Sequence, residues 1–297
     1  MLKAGAPKRG LPTRLVIAVA SMIAASLVPL SATTTSAAPA DRAATPSLRV
    51  VVSKSGVDVT GPTRFQAGWV RLTTVAHKTP GSMELVRFRR DYTFKDLQFD
   101  IAKTFAGGKN ALKHLNRAIR HTKFYGAPAA DPGKVTHGGA FLDRPDTYVL
   151  FQFGDNGPIN PTRLHVRGPV VKRAAPESTA TVVAHEDRRW GGDDVLPAQG
   201  AIRFVNRADY SPHFVSLQHV AKGTTRKEVI DCINDPACTF DFARAGSAET
   251  GSLSPGKAFT FGYSLPRGTY ALMCFFPDPE TGMPHAAMGM VRIVTLK

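Results

Sequence analysis

Apolar and polar residues alternate along much of this chain. Trp69-Val-Arg-Leu72 and Ala201-Ile-Arg-Phe-Val205 switch face at every residue, the period of a half-buried strand, and residues 147–153 and 259–276 are rich in strand formers. Between these stretches each half changes to a helical pattern. Thr93-x-x-Asp96 and Thr225-x-x-Glu228 read as helix-start boxes, in which the Thr oxygen and the carboxylate satisfy free backbone donors. Residues 110–124 extend the first helical stretch. Leu112, Leu115 and Ile119 form its apolar stripe, and Lys113, Arg117, Arg120 and Lys123 read as a solvated basic face.

The two patterns are related by repetition. A shift of 132 residues lays Val70-Arg71-Leu72 on Ile202-Arg203-Phe204, Pro80 on Pro212, Leu85 on Leu217, Thr93 on Thr225 and Asp96 on Glu228. Further on, Thr147-Tyr148-Val149-Leu150 matches Thr269-Tyr270-Ala271-Leu272, and Gly157, Val166 and Arg167 are laid on Gly282, Val291 and Arg292. Preserved order and matching element types indicate duplication of one domain. An all-β-dominated protein of two tandem Greek-key sandwiches, each with a small helical insertion, is expected. The boundaries are residues 1–40 for a signal peptide, 41–171 for the first domain, 172–180 for a linker and 181–297 for the second domain.

The leader is read from Lys3, Lys8, Arg9 and Arg14 ahead of the apolar run 15–30, followed by Ala38-Pro39-Ala40 as a small-residue cleavage site. That run is short for a bilayer, which needs roughly twenty apolar residues, so a secreted or envelope-exterior protein without a transmembrane segment is expected. Cleavage after Ala40 leaves 34 cations against 23 acids, a net charge of +11. Such a charge favours an acidic redox protein or an anionic envelope surface, and an exported chain without a nucleic-acid motif argues against nucleic acid. Of three cysteines, Cys232 and Cys238 are close enough in sequence to form a local disulfide, which leaves Cys274 as a free thiol or a metal ligand.

The candidate chemistry gathers late in the chain. Leu265-Pro-Arg-Gly-Thr-Tyr270-Ala-Leu-Met-Cys274 leads to Pro284-His285-Ala-Ala-Met-Gly-Met290, and Ser211-Pro212-His213 lies upstream. This set resembles the cupredoxins of the plastocyanin kind, in which a Gly-x-Tyr-x-x-x-Cys strand precedes a Pro-His and a Gly-Met. The resemblance runs from near Thr181 to Lys297, with its specific matches at His213 and in residues 253–291. It implies a cupredoxin-like sandwich in the second half, a degenerate copy in the first, and one type 1 copper site held by His213, Cys274, His285 and Met290, with Nδ1 as the ligand atom of His213. Two imidazoles, a thiolate and a weak axial thioether are the donors that such a centre needs. Met288 is the second choice for the axial place, His219 a structural residue and Met283 loop packing.

One departure from the family is clear: ten residues, Phe275 to Pro284, separate Cys274 from His285, where small cupredoxins have only a few. They form either a loop that returns His285 to the site or a hairpin that carries it away. The first copy carries Gly81, Gln152, approximately Asn160 and His165 at the positions aligned with the four ligands, so no type 1 site forms there. His-x-His pairs and a His-Cys-His run, expected of multicopper oxidases and copper nitrite reductases, are absent, and so are hydrolase and phosphate-loop motifs. The leading expectation is a secreted copper-binding protein, either a one-electron carrier or a copper holder. A metal-free cupredoxin-like binding or structural module at the envelope is the alternative, and Zn(II) or Cu(I) trafficking is a third.

Overall fold

Strand pairing in a computed structural model, which describes residues 44–239 and 246–297, follows the repeat. The leader lies outside the described residues. In the first half, Ser47–Ser53 pairs in parallel with Gly68–Ala76 and forms an antiparallel hairpin with Gly56–Thr60. The second half repeats this with Ala180–Ala184, Gln199–Asn206 and Trp190–Gly192. Each half also builds its own five-stranded sheet. In the first the order is Arg64–Gln66, Gly157–Arg167, Asp146–Gly154, Met83–Phe88, Thr122–Phe124; in the second it is Val195–Leu196, Val291–Leu296, Gly268–Met273, Ser216–Val220, Ser247–Glu249. The architecture is two tandem cupredoxin-like β-sandwiches, as the alternation and the duplication imply.

The halves are joined through a shared sheet. Ala258–Ser264 pairs antiparallel with Val135–Leu142, Phe259 opposite Ala140 and Phe261 opposite Gly138, which fuses four strands from each half into one eight-stranded sheet. Close approach here depends on small residues. A Cβ on Gly138 would lie 2.7 Å from the Thr260 carbonyl oxygen, and one on Gly139 would lie 2.4 Å from the Pro176 ring. Pro176 belongs to the apolar-poor stretch between the copies, which crosses the shared sheet at this point. The largest buried cluster draws on both halves, with Leu48, Val70 and Tyr148 from one and Ile202, Phe259, Tyr270 and Cys274 from the other.

Both helix-start boxes form. Thr93 caps α1 (Phe94–Phe105) and Thr225 caps α3 (Arg226–Asn234), each accepting from the backbone of the third helical residue while that residue's carboxylate accepts from the Thr backbone. A cap of this kind contributes about 1 kcal/mol. The basic stretch forms α2 (Ala111–His121), which buries Leu115, Ala118 and Ile119. Its polar side is less solvated than expected, because Arg117 bridges Asp96 and the fully buried Asp100, and His114 Nδ1 lies 2.8 Å from the same Asp100. Tyr148 and Tyr270 reproduce one another, each donating its hydroxyl to the carbonyl four residues back.

Strand register corrects part of the alignment. Tyr148 is opposite Leu164 and Tyr270 opposite Val294, so Val166 is equivalent to Leu296 and His165 to Thr295 rather than to Met290. The cause is local. A register shift between Leu150 and Gln152, together with the longer excursion after Cys274, breaks the constant offset that an ungapped comparison assumes.

Glu84, on Met83–Phe88, ties the first half to the second by accepting from the Ser252 backbone at 2.9 Å and from its hydroxyl at 2.8 Å. Burial pushes this carboxyl up to about 7 from 4.5 against the opposing Ser252 hydrogen bonds. The folded state therefore holds the proton more tightly than the unfolded chain. The stabilisation is complete below pH 4.5 and is lost as pH rises through about 7. Denaturant titrations across this window should show a decline of about 3 kcal/mol that Glu84→Gln removes. An unchanged pH slope in the variant would exclude Glu84 as its source.

Candidate metal centre

Three segments bring the donors together. Cys274 directly follows the strand Gly268–Met273, so the antiparallel ladder with Ser216–Val220 fixes its backbone. His213 is held in an isolated bridge in which its N–H donates to the Leu253 carbonyl at 3.1 Å and the Leu253 N–H donates back at 2.7 Å. Asn206, fully buried at the end of Gln199–Asn206, donates through its amide to the carbonyls of Ser211 and Leu253 and accepts from the Ala208 N–H. It thereby secures both sides of the His213 bridge.

The ten-residue excursion closes on itself. The Ala286 N–H donates to the Cys274 carbonyl at 2.7 Å and the His285 N–H to the Phe276 carbonyl at 3.0 Å, while Asp278 and Met283 close the hairpin above them at 2.8 Å. The extra residues are thus spent beyond the base of a hairpin, and His285 returns beside Cys274. Helix α2 of the first half holds this hairpin. Asn116 donates to the Pro279 carbonyl at 2.7 Å and accepts from the Tyr210 hydroxyl at 3.0 Å.

One ligand atom from each of His213, Cys274 and His285 lies within 4.8 Å of the other two. Cys274 Sγ is 3.6 Å from Nδ1 of both imidazoles, and the two rings are 4.6 Å apart at 45°. All three side chains are buried, each at 1% exposure or less. Burial pushes His213 down to about 3, with His285 adding to the shift, and burial likewise lowers His285 to about 4. Both rings are therefore neutral at neutral pH, with lone pairs available. Burial pushes the Cys274 thiol up to about 12 despite opposing backbone hydrogen bonds from Phe214 and Phe276.

His285 Nε2 faces Ser211 Oγ at 3.2 Å and an Asp278 oxygen at 3.9 Å. The tautomer with its proton on Nε2, toward these acceptors, is the one that leaves the Nδ1 lone pair toward Sγ for a metal. Asp278 is itself oriented, by the Thr281 and Glu280 N–H groups, the Thr281 hydroxyl and Arg188. These contacts outweigh its burial and hold its carboxyl below the usual range. One thiol hydrogen cannot serve both Nδ1 atoms that lie 3.6 Å from Sγ, so one buried lone pair is left unfilled, and a cation bound by thiolate and two Nδ1 atoms would take it. His213 Nε2, on the other side of its ring, has no hydrogen-bond partner among the described residues. The donor set fits copper, with zinc as the other metal of matching preference.

Met290 is fully buried in the same cluster as Cys274. Its N–H donates to the His285 carbonyl at 2.8 Å and its carbonyl accepts from Trp190 Nε1 at 3.2 Å, so both neighbours along the fold hold its backbone. Met288 instead directs its sulfur to the Thr281 hydroxyl at 3.5 Å. His219 stacks edge-on to Tyr270, a structural contact, and Met283 is exposed. In the first half Gln152 stands where Cys274 stands and accepts from the Asn160 amide at 3.4 Å, and Gly81 makes with Ala130 the bridge that His213 makes with Leu253.

A polar recess of about 350 Å³ opens over the two imidazoles, lined by Asn116, Glu186, Arg188, Tyr210, Asp278 and Glu280 among others. Beside His285, Ala286 is fully buried, whereas Met283 and Pro284 are exposed. Asn206, Ser211 and Asp278 were not legible as site residues. Nothing in their sequence context separates them from ordinary strand-end and loop positions, since each acts through a contact made only in the folded chain.

No family model matches the sequence, and neither does any curated protein. Among solved structures, the chain is similar to an auracyanin from Roseiflexus castenholzii at 20% identity and a TM-score of 0.28, over 41% of this chain and 99% of that one. It is also similar to a copper nitrite reductase from Nitrosomonas europaea, at 13% identity and a TM-score of 0.23 over 84% of this chain and 93% of that one. A multicopper oxidase is similar at 9% identity and a TM-score of 0.24, over 84% and 88% of the two chains. The cupredoxin-like architecture stands on this chain's own strand order and register.

Proposed function

We propose that this chain is an exported copper-binding protein that holds one type 1-like copper in its second half and serves as a one-electron carrier or copper holder. The convergence of His213 Nδ1, His285 Nδ1 and Cys274 Sγ in a buried pocket carries the reading. These three residues would hold the metal, with Met290 as a thioether donor. Bound copper supplies a one-electron couple between Cu(I) and Cu(II). The protein's part is to keep both imidazoles neutral, exclude bulk water from the thiol, and hold His285 through Ser211 and Asp278. The net charge of +11 on the mature chain favours an acidic redox partner or an anionic envelope surface. Among the described residues no helix is long and apolar enough to cross a membrane.

The test is titration of the purified mature chain with Cu(II). One equivalent should bind and give the intense visible band of a Cys–Cu(II) bond. Stoichiometric metal without colour would point to zinc or Cu(I) handling instead, and neither colour nor bound metal would leave the metal-free module.

A further inference from the structure

A second cavity, of about 270 Å³, lies where the halves meet and takes no part in the metal centre's donor set. Its walls are mainly apolar and rich in phenylalanine: Phe124, Phe151 and Phe153 come from the first half, and Phe214, Phe275 and Phe276 from the second. An apolar cavity of about 150 Å³ holds one benzene, so this one has room for two fused rings with a short side chain.

Its charge is one-sided. Glu84 lines the cavity and is 8% exposed, and the exposed Glu249 also contributes to the wall. No Lys, Arg or His lines the cavity among the described residues, although the protein as a whole is strongly basic. Glu84 accepts from the Ser252 N–H and hydroxyl and has no ion pair among the described residues. A buried carboxylate with only neutral donors keeps most of its desolvation cost, and a cation placed against it recovers that cost. Aromatic faces around the same space add attraction for a cation and exclude water. An anionic ligand would meet two carboxylates and no compensating charge.

We propose that this cavity binds a small aromatic amine of one or two rings, its ring among the phenylalanines and its ammonium group paired with Glu84. The site is independent of copper, since none of its polar groups is a candidate metal ligand.

The experiment is calorimetric titration of the mature chain, without added copper at about pH 8, above the range in which Glu84 holds its proton, with tryptamine, 3-methylindole and indole-3-propionate. Tryptamine should bind at least about tenfold more tightly than 3-methylindole, the effect of one charge-assisted hydrogen bond, and indole-3-propionate should bind most weakly. Glu84→Gln should abolish tryptamine's advantage while leaving 3-methylindole unchanged. Equal affinity for the amine and the neutral ring in the unaltered protein, or no saturable tryptamine binding, overturns the proposal without any variant. An advantage that persists in a folded Glu84→Gln protein overturns it too, by removing Glu84 as the partner.

Discussion

Replacement of Cys274 by Ser should abolish the visible band and stoichiometric copper together, while the far-ultraviolet circular dichroism stays that of the unaltered protein. The thiolate is the soft donor of the set and the source of the charge-transfer transition; a serine hydroxyl of similar size gives neither. Loss of groups that merely orient ligands weakens metal binding roughly 10–100-fold, and loss of the thiolate itself should exceed that range. The fold should survive because the change is nearly isosteric, and because the new hydroxyl meets His213 and His285 Nδ1, which already face this position at 3.6 Å from the sulfur. Absorption, elemental analysis and circular dichroism on one preparation decide the matter. Copper and colour retained by the serine variant would remove Cys274 from the ligand set, and an unfolded variant would make Cys274 chiefly a packing residue.

The parts of this protein legible from its sequence are those written in local pattern. The capping boxes at Thr93 and Thr225, the paired strands around Val70 and Ile202, and the Tyr148 and Tyr270 equivalence need only neighbours in the chain to be recognised. His213, Cys274 and His285 were legible because residue type, order and flanking Pro or Gly narrow the chemistry, and the folded chain brings their ligand atoms together. The return of the hairpin from Phe275 to Pro284 is not written in local pattern, because it depends on hydrogen bonds at its base and on Asn116, 163 residues away from Pro279 in the chain. Non-local pairing also misplaced His165, since a bulge shifts register without leaving a mark in residue type. The shared sheet is equally invisible in local pattern. Its deciding residues, Gly138 and Gly139, are read in sequence only as breaks in a strand, whereas in the fold they admit the Phe259 ring and Pro176.

That shared sheet makes Phe259 the residue whose loss should cost most stability. Phe259 is fully buried, lies opposite Phe204 in its own half and Ala140 in the other, and packs in parallel with Phe261 at a centroid distance of 6.1 Å. Its ring fills the space left by two glycines, since a Cβ on Gly126 would lie 2.7 Å from it and one on Gly138 3.0 Å. Both glycines belong to the first half, so the cavity left by Phe259→Ala opens at the junction and strips contacts from both sandwiches at once. The expected loss is about 3–5 kcal/mol, the usual range for truncating a buried Phe to Ala. Because one hydrophobic cluster runs through both halves, unfolding should remain a single transition, with tyrosine signals from Tyr148 and Tyr270 and any copper colour lost together. Chemical denaturation followed by near-ultraviolet circular dichroism measures both quantities. Two separated transitions, with only the later one moved by the substitution, would mean that the sandwiches fold as independent units and that the continuous sheet adds little coupling between them.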